Sequence, residues 1–383
     1  MRISVLAETS AQEARVAATA DTVKRFSGLG AEVVVVSGAG VASGILDADY
    51  TGAGATLAST NTEAVAGADV ILAVRRPELD SLAGAKPGAL VIAIMDPYGN
   101  EAALGGLAAA GLSAFAMELM PRITRAQVMD VLSSQANLAG YRAVIDASAE
   151  FGRAFPMMMT AAGTVPAARV FIMGAGVAGL QAVATARRLG AVVTATDVRP
   201  ASKEQVESLG AKFVAVEDEE FKQAETAGGY AKAMSAEYQA KQAALVAGHI
   251  AKQDIVITTA LIPGRPAPKL VSAAMVATMK PGSVLIDLAV ERGGNIEGAV
   301  PGEVVITTNG VKIVGHLNVP GRLAATASQL YAKNLYAFVE TLVDKTSKAL
   351  AVKWDDELVK ATLLTKEGAV VHPAFKPAEA SAA

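Results

Sequence analysis

Residues 169–186 read Arg169-Val-Phe-Ile-Met-Gly174-Ala-Gly176-Val-Ala-Gly179-Leu-Gln-Ala-Val-Ala-Thr-Ala, and this stretch decides the fold. A run of β-branched and aromatic residues leads into a G-x-G-x-x-G turn, and an alanine-rich segment follows it. The first glycine permits the tight turn, the second lets the backbone approach a phosphate, and the third lets the helix pack on the strand. The stretch therefore predicts a strand, a phosphate-binding turn and a helix whose N-terminus attracts anions.

Short runs of β-branched residues alternate with alanine-rich segments on both sides of this turn, which is typical of parallel sheets covered by helices. The first predicted series of strands comprises Ile3–Leu6, Val33–Val36, Val70–Val74 and Leu90–Ile94. The second comprises Val170–Met173, Val192–Thr196, Lys212–Val216, Ile255–Thr258, Val284–Ile286 and Val311–Val314. The predicted fold class is α/β, with two Rossmann-like domains that each contain a parallel sheet.

Helical patterns connect and flank the two series, at Gln12–Leu29, Glu118–Arg153 and Leu323–Val343. Three short pieces near the end are predicted as strands, at Ala349–Lys353, Val359–Leu364 and Gly368–Val371. Because 383 residues exceed what one hydrophobic core usually holds, two domains are expected. We predict a first domain of residues 1–133 plus 320–383, a dinucleotide domain of residues 134–319, and a nucleotide cleft between them.

Composition and charge exclude several classes of protein. The net charge is −3, with 34 basic and 37 acidic residues spread along the chain, so no basic surface for nucleic acid is expected. Without cysteine there is no disulfide or thiolate metal site, and no His/Asp/Glu cluster has metal-ligand spacing. The longest charge-free stretches, Ala102–Met117 and Val170–Ala186, are shorter than the ~20 residues of a spanning helix. The start MRISVLAETS lacks a signal-type apolar segment, which fits a cytoplasmic protein.

Asp197 ends the strand that follows the glycine turn, where a carboxylate can accept hydrogen bonds from the hydroxyls of an adenosine ribose. This favours NAD over NADP, although Arg199 could meet a 2′-phosphate and leaves NADP open. A second cluster, Gly38-Ala-Gly40-Val-Ala-Ser-Gly44, places its third glycine one position late and is predicted to be a turn. One fingerprint in two domains predicts one nucleotide per chain.

The connection Glu217–Asp254 is longer than a crossover helix requires and contains Gly228, Gly229 and Tyr230. Connections of this length in compact domains are often mobile lids. The alternative is a longer helix whose start is interrupted by the glycines.

Four polar residues recur every three or four positions, which would place them on one face of a helix, with Arg122 just before it; they are Gln127, Asp130, Ser133 and Asn137. An amide and an arginine suit a carboxamide and a phosphate, whereas the alternative is a solvated surface. His316 follows the last predicted strand and is either an acid/base group or a loop histidine bonded to backbone.

Five runs resemble the NAD(H)-binding component of bacterial proton-translocating transhydrogenase, over nearly the whole chain. They are Met117-Glu-Leu-Met-Pro-Arg-Ile-Thr-Arg-Ala-Gln127, Pro156-Met-Met-Met-Thr-Ala-Ala-Gly-Thr-Val-Pro166, Glu225-Thr-Ala-Gly-Gly-Tyr-Ala231, Thr258-Thr-Ala-Leu-Ile-Pro-Gly264 and Lys280-Pro-Gly-Ser-Val-Leu-Ile-Asp-Leu-Ala289. The Arg-Gln-Asp-Ser set and the Gly-Gly-Tyr loop are specific to that family.

The resemblance implies a role for each residue already singled out. The nicotinamide end would be held by a catalytic set, Arg122, Gln127, Asp130 and Ser133, and covered by Tyr230 on a mobile loop. The remaining residues expected to bind the NAD(H) cofactor are Gly174, Ala175, Gly176, Val177, Gly179, Asp197, Val198, Arg199, Thr259, Ala260 and Leu261. The implied partners are a second copy of the chain, an NADP(H)-binding component and a membrane-spanning component, at the inner face of the cytoplasmic membrane. Hydride transfer between two nicotinamides needs no proton donor, so proximity suffices.

Alanine dehydrogenase is the related alternative, and it uses a lysine and a histidine in its first domain. The matching stretches here contain Arg75 and Asp96, and arginine does not release its proton in the working range. The sequence also departs from the transhydrogenase pattern at Glu8-Thr-Ser-Ala-Gln12, where that family has a basic Lys-Glu-Arg run. A third possibility, from another class, is an NAD sensor that binds NADH but transfers no hydride.

Overall fold

A computed structural model of the chain describes residues 1–223 and 234–376. The chain divides into two compact units. The first consists of Met1–Gln135 and Gly321–Ala383, and the second of Ala136–Pro320. Each unit is built on its own sheet, and the predicted α/β class with parallel sheets is confirmed.

The strands are short and are numbered in chain order. They are β1 (Arg2–Val5), β2 (Glu32–Val36), β3 (Thr56–Ala58), β4 (Val70–Arg75), β5 (Leu90–Ile94), β6 (Ser113–Ala116), β7 (Met158–Thr160), β8 (Gly163–Val165), β9 (Arg169–Met173), β10 (Val192–Thr196), β11 (Lys212–Phe213), β12 (Ile255–Thr258), β13 (Val284–Asp287), β14 (Val304–Ile306), β15 (Lys312–Val314), β16 (Thr365–Lys366) and β17 (Ala369–Val370).

The α-helices are numbered in the same way. They are α1 (Ala20–Gly28), α2 (Asp47–Gly52), α3 (Asn61–Val65), α4 (Glu101–Ala109), α5 (Val131–Glu150), α6 (Val177–Arg188), α7 (Ser202–Ser208), α8 (Glu219–Lys222), α9 (Ala236–Ile250), α10 (Ala273–Ala277), α11 (Ala324–Thr341) and α12 (Glu357–Thr362).

The sheet of the first unit has six parallel strands in the order β3-β2-β1-β4-β5-β6. This is the strand order of a doubly wound dinucleotide fold. Alternate residues of a strand enter opposite hydrophobic cores, as with Val33 and Val35 on one face and Val34 and Val36 on the other. The sheet is therefore covered on both faces, as parallel sheets require.

The sheet of the second unit has the order β11-β10-β9-β12-β13-β15-β14. All its pairings are parallel except that of β14 with β15, which is antiparallel at one edge. Val170 and Ile172 enter one core, and Phe171 and Met173 enter the core on the other face. The strand order reverses at β9, so the carboxyl ends of β9 and β12 flank the place where such folds bind ligands.

The structure matches some predicted elements residue for residue. Strands at Leu90–Ile94, Val192–Thr196 and Ile255–Thr258 have the predicted bounds. The predicted helix at Leu323–Val343 is confirmed as α11. The predicted turn at Gly38–Gly44 is also confirmed, since one 3-10 turn at Val41–Ser43 occupies it and Gly44 has a positive φ of 73°.

Other predicted elements were wrong. The first helix begins at Ala20 rather than at Gln12, because Thr19 caps it by accepting a hydrogen bond from the Thr22 amide. The segment Val359–Leu364 is mostly helix α12 rather than a strand, since the Asp356 carboxylate caps the helix at the Leu358 amide, 2.8 Å away. Within the described residues, Ala349–Lys353 contains no strand, and Gly368–Val371 holds only the short β17.

Candidate functional site

The glycine turn after β9 has the predicted strand–turn–helix form. Gly174 has a φ of +103°, a conformation that L side chains rarely adopt. A Cβ at Gly179 would lie 1.8 Å from the Gly174 carbonyl oxygen, so only glycine allows helix α6 to pack against this turn. The first and third glycines are therefore required by the backbone itself.

Gly176 is different, because a Cβ added there would meet no atom within 4 Å. It is the N-cap residue of α6, and no side chain of the described residues accepts a hydrogen bond at this cap. Gly176 and the following Val177 are exposed. The first amides of α6 thus border open space, and helix N-termini of this kind bind phosphate groups.

Asp197 follows β10, and its side chain is 8% exposed. Its Oδ2 accepts the Ala175 N–H at 2.7 Å, which ties the aspartate to the glycine turn. Its Oδ1 accepts the backbone N–H of Arg199 at 2.9 Å. The Arg199 guanidinium donates to both carboxylate oxygens, from Nε to Oδ1 at 2.9 Å and from Nη2 to Oδ2 at 3.1 Å. Val198, between them, is exposed.

Thr259 follows β12 and also contacts the glycine turn. Its hydroxyl donates to the Gly174 carbonyl at 3.1 Å, and its backbone N–H donates to the Met173 carbonyl at 2.9 Å. The next two residues, Ala260 and Leu261, begin an exposed loop, and the Leu261 side chain is 52% exposed. Three predicted segments of the second unit therefore meet at one edge of its sheet, namely 174–179, 197–199 and 259–261.

The residues at this edge fit a dinucleotide. The open space at Gly176 and the amides of α6 suit a pyrophosphate, and the Asp197 carboxylate suits ribose hydroxyls. The close approach of Gly174 to Gly179 leaves no side chain over the turn. The backbone geometry therefore agrees with the sequence motif.

The four polar residues of the first predicted helix face do not share one continuous face, contrary to the prediction. Gln127 lies in a 3-10 helix, Thr124–Met129, and the chain changes direction at Asp130, whose ψ is 92°. Ser133 and Asn137 lie in α5, which starts at Val131. The change in helix type resets the periodicity, so the spacing read along the sequence does not carry across it.

Asp130 and Ser133 nevertheless contact each other. The Asp130 carboxylate accepts the Ser133 N–H at 2.8 Å and the Ser133 hydroxyl at 2.5 Å. This is an N-terminal cap of α5, so the pair has a structural role whatever else it does. Arg122 and Gln127 are exposed. Tyr230, with Gly228 and Gly229, lies outside the described residues.

The predicted histidine candidate, His316, is bound by a carboxylate. Its Nδ1 lies 3.2 Å from Oδ2 of Asp146, and its side chain is 19% exposed. Asp146 also accepts a hydrogen bond from Arg142 at 2.8 Å. His316 is therefore a partly buried loop histidine held by an acidic side chain rather than by backbone.

A buried charged cluster in the first unit was missed by sequence reasoning. The Glu13 carboxylate accepts two hydrogen bonds from Arg15, both at 2.7 Å, and one from Arg75 at 2.9 Å. Arg15 donates a further bond to Gln135 at 2.8 Å. Burial disfavours the Glu13 anion, but the two guanidinium groups outweigh it and lower its pKa to about 2. The only local signal is the Glu13/Arg15 pattern, which lies in a segment of helical composition.

Glu8 lies beside this cluster and behaves differently. Its carboxylate accepts the backbone N–H groups of Val74 at 2.7 Å and Arg75 at 3.2 Å, at the carboxyl end of β4. Burial is the largest influence and raises the pKa of Glu8 from 4.5 to about 7, with a further contribution from the nearby Glu13 charge. Glu8 begins the run Glu8–Gln12, which departs from the basic pattern of the transhydrogenases.

Two other kinds of site find no support. Residues 1–223 and 234–376 contain no group of three or more His, Cys, Asp or Glu side chains placed to hold a metal ion. Across these same ranges, none of the helices combines the length and the apolar character needed to cross a bilayer.

Two protein families match the chain in succession. The family described as alanine dehydrogenase/PNT, N-terminal domain, matches residues 4–139. The family described as alanine dehydrogenase/PNT, C-terminal domain, matches residues 143–373. The chain belongs to the alanine dehydrogenase/PNT family.

Individual relatives narrow this assignment. A chain of NAD(P) transhydrogenase subunit alpha from Rhodospirillum rubrum is 57% identical over 380 residues, which cover 98% of this chain and 99% of that protein. The crystal structure of a transhydrogenase from Sinorhizobium meliloti has a TM-score of 0.89 and 63% identity, covering 97% of this chain and 100% of that one. An L-alanine dehydrogenase structure has a TM-score of 0.81 at 25% identity, covering 98% of both chains. Within the family, the chain therefore groups with the transhydrogenase alpha subunits.

Proposed function

We propose that this chain is the NAD(H)-binding component of a proton-translocating transhydrogenase. The observation that carries the proposal is the convergence of the glycine turn, Asp197 and Thr259 at one edge of the second unit's sheet. In this role the chain binds NADH, and a separate component holds NADP⁺. When bound, NADH supplies a hydride from its nicotinamide to the NADP⁺ of that component.

The chain's own residues position the nucleotide. The amides at the start of α6 bind the pyrophosphate, and Asp197 accepts the hydroxyls of the adenosine ribose. Ala175 and Val177 contribute backbone at the turn, and Val198 lies beside the ribose carboxylate. At the nicotinamide end we assign Arg122, Gln127, Asp130, Ser133 and Tyr230, together with Ala260 and Leu261. Their task is orientation, because bringing two reacting groups to ~3–3.5 Å makes the step effectively unimolecular.

The remaining assignments concern partners and place. The chain acts as a homodimer that docks on an NADP(H)-binding component and a membrane-spanning component, on the inner face of the cytoplasmic membrane. The names of the relatives support this, since they are alpha subunits of a multi-subunit enzyme. Coupling to proton translocation then depends on the membrane component.

The charged cluster of the first unit favours this function over that of an amino-acid dehydrogenase. Reduction of an imino acid needs a proton donor beside the nicotinamide. Arg75 instead donates to Glu13, and Asp96 donates its backbone N–H to Glu118. The test is NADH oxidation by the purified chain with pyruvate and ammonia, and we expect no turnover above the rate without them. Substantial pyruvate-dependent turnover would assign the chain to the dehydrogenases.

A further inference from the structure

Asn295 is a buried amide in the second unit whose bonds all go to backbone groups of one loop. It is 0% exposed and follows Gly293 and Gly294, which both have positive φ angles, +94° and +75°. Its Oδ1 accepts the Ala260 N–H at 3.1 Å, and its Nδ2 donates to the Ala260 carbonyl at 2.9 Å. The same Nδ2 donates to the Pro268 carbonyl at 2.8 Å. One side chain therefore joins both ends of the loop 260–268.

The loop 260–268 has few other means of holding its shape. Residues 261–266 are exposed, and they include the apolar side chains of Leu261 and Ile262, 52% and 47% exposed. Apart from the Asn295 bonds, Ala267 donates its N–H to the Arg292 carbonyl at 2.8 Å, and Arg265 closes a turn on Ile262 at 3.2 Å. The amide of Asn295 is thus the main connection between the ends of the loop and the rest of the unit.

Asn295 is itself held rigidly by the end of β13. The Asp287 carboxylate accepts the N–H groups of Ala289 and Ile296, both at 2.9 Å. A Cβ at Gly294 would lie 2.7 Å from that carboxylate, so the chain can make this turn only with glycine there. The Asn295 carbonyl also accepts the N–H groups of Leu270 and Val271, at 2.8 and 3.1 Å. A fixed anchor and an exposed loop are therefore joined through one amide.

The loop begins directly beside the glycine turn, because Thr259 bonds the Gly174 carbonyl. In a doubly wound sheet the two halves of a dinucleotide lie on opposite sides of the point where strand order reverses. The glycine turn and Asp197 belong to β9 and β10 on one side, whereas the loop 260–268 follows β12 on the other. The loop therefore faces the nicotinamide half rather than the adenosine half.

We infer that Asn295 is a positioning residue, which fixes the loop 260–268 and through it the nicotinamide half of the bound nucleotide. The inference rests on the proposed function, because it takes NAD(H) to be the nucleotide. Without the amide, both Ala260 backbone groups and the Pro268 carbonyl lose their partner, and the loop loses its defined conformation. The adenosine half keeps its contacts, since neither the glycine turn nor Asp197 touches Asn295.

The test compares the binding of NADH and of ADP, which lacks the nicotinamide half, by calorimetric titration. Asn295→Ala should raise the Kd for NADH at least tenfold and change the Kd for ADP less than twofold. Asn309→Ala is the matched control, because the Asn309 amide also bonds backbone carbonyls, those of Val276 and Met279 at 3.1 and 3.2 Å, in the same unit but away from the glycine turn. That variant should change neither Kd by more than twofold, although thermal unfolding should show that it too loses stability.

Asn295→Ser provides a milder variant if the alanine substitution prevents folding, and it should shift the NADH Kd in the same direction by a smaller factor. An unchanged ratio of the NADH and ADP Kd values in these folded variants overturns the inference while the proposed function stands. Failure of the wild type to bind NADH at all overturns the proposed function and the inference with it.

Discussion

The carboxylate of Asp197 and the guanidinium of Arg199 form a two-bond ion pair, at 2.9 and 3.1 Å, directly beside the glycine turn. The same carboxylate accepts the Ala175 N–H, so its position is set by the turn itself. Two functions therefore meet at one side chain, since Asp197 presents a negative charge to a ribose and also restrains Arg199, the side chain proposed to meet a 2′-phosphate.

We predict from this pair that the chain prefers NADH to NADPH by about tenfold or more. A 2′-phosphate ~4 Å from the Asp197 carboxylate costs roughly 1–4 kcal/mol in a partly solvated site. Asp197→Asn removes the charge but keeps an oxygen for the Ala175 amide, so it should narrow the gap between the two Kd values. Adding Arg199→Ala should then abolish the gain in NADPH affinity.

The control for charge removal is Asp254→Asn. Asp254 also pairs with an arginine, Arg153 at 2.7 Å, and also accepts a backbone N–H, that of Arg169 at 2.9 Å. It lies at the opposite end of β9, where no nucleotide is expected. This variant should leave the NADH/NADPH ratio unchanged, and equal Kd values for the two nucleotides in the wild type would refute the preference.

A second prediction separates binding from folding at the glycine turn. Gly176→Ala places a methyl group in open space, so the free energy of unfolding should change by less than about 1 kcal/mol. The methyl group would nevertheless occupy the place of the pyrophosphate, and the Kd for NADH should rise at least tenfold. Gly248→Ala is the matched control in helix α9, where a Cβ also meets nothing within 4 Å.

That control should raise stability by about 0.5–1 kcal/mol and leave NADH binding unchanged, because alanine favours the helix. Chemical denaturation and nucleotide titration measure the two effects on the same samples. If Gly176→Ala binds NADH as the wild type does, the phosphate is not bound at this turn.

Some of these features could be predicted from sequence and others could not. Runs of β-branched residues identified the central strands, such as Ile255–Thr258, with their observed bounds. Two strands of the first sheet were missed, Thr56–Ala58 and Ser113–Ala116, because they are short and rich in alanine rather than in β-branched residues.

The contacts that organise the site were out of reach of local patterns. Asn295 meets Ala260 only when the turn after β13 and the loop after β12 lie side by side. In the same way, Glu13 joins Arg75 across 62 residues of chain, so a segment with helical composition is held in a non-helical conformation. The glycine fingerprint was predictable because all its constraints are local.

A third prediction concerns pH and Glu8. Its pKa is raised from 4.5 to about 7 by burial, so the folded state binds a proton more tightly than the unfolded state does. This stabilisation is fully present below pH 4.5 and is lost as the pH rises through about 7. Glu8→Gln should therefore remove part of the pH dependence of unfolding between these values, by no more than about 3 kcal/mol.

The measurement is the free energy of unfolding at a series of pH values for both proteins. Glu13 contributes with the opposite sign, because its pKa is lowered to about 2 and its stabilisation is lost only in strong acid. An identical slope in wild type and Glu8→Gln between pH 4.5 and 7 would show that Glu8 does not titrate there.

A fourth prediction divides the roles of Asp130. Asp130→Ala removes the cap of α5 and should cost about 0.5–2 kcal/mol of stability. Asp130→Ser keeps a capping oxygen, so it should recover most of that stability. If the carboxylate also orients the nicotinamide, Asp130→Ser should still slow hydride transfer at saturating NADH, and a normal rate would leave Asp130 with the structural role alone.

The central claim is tested most directly by hydride transfer from NADH to an NADP⁺ analogue of distinct absorbance, with and without a purified NADP(H)-binding component. We predict no transfer by the chain alone and rapid transfer when the component is added, since the chain has one glycine fingerprint of this form and NADP⁺ must come from the partner. If both nucleotides bind and the two proteins associate, yet no hydride passes between them, the chain is a nucleotide sensor and the proposed function is contradicted.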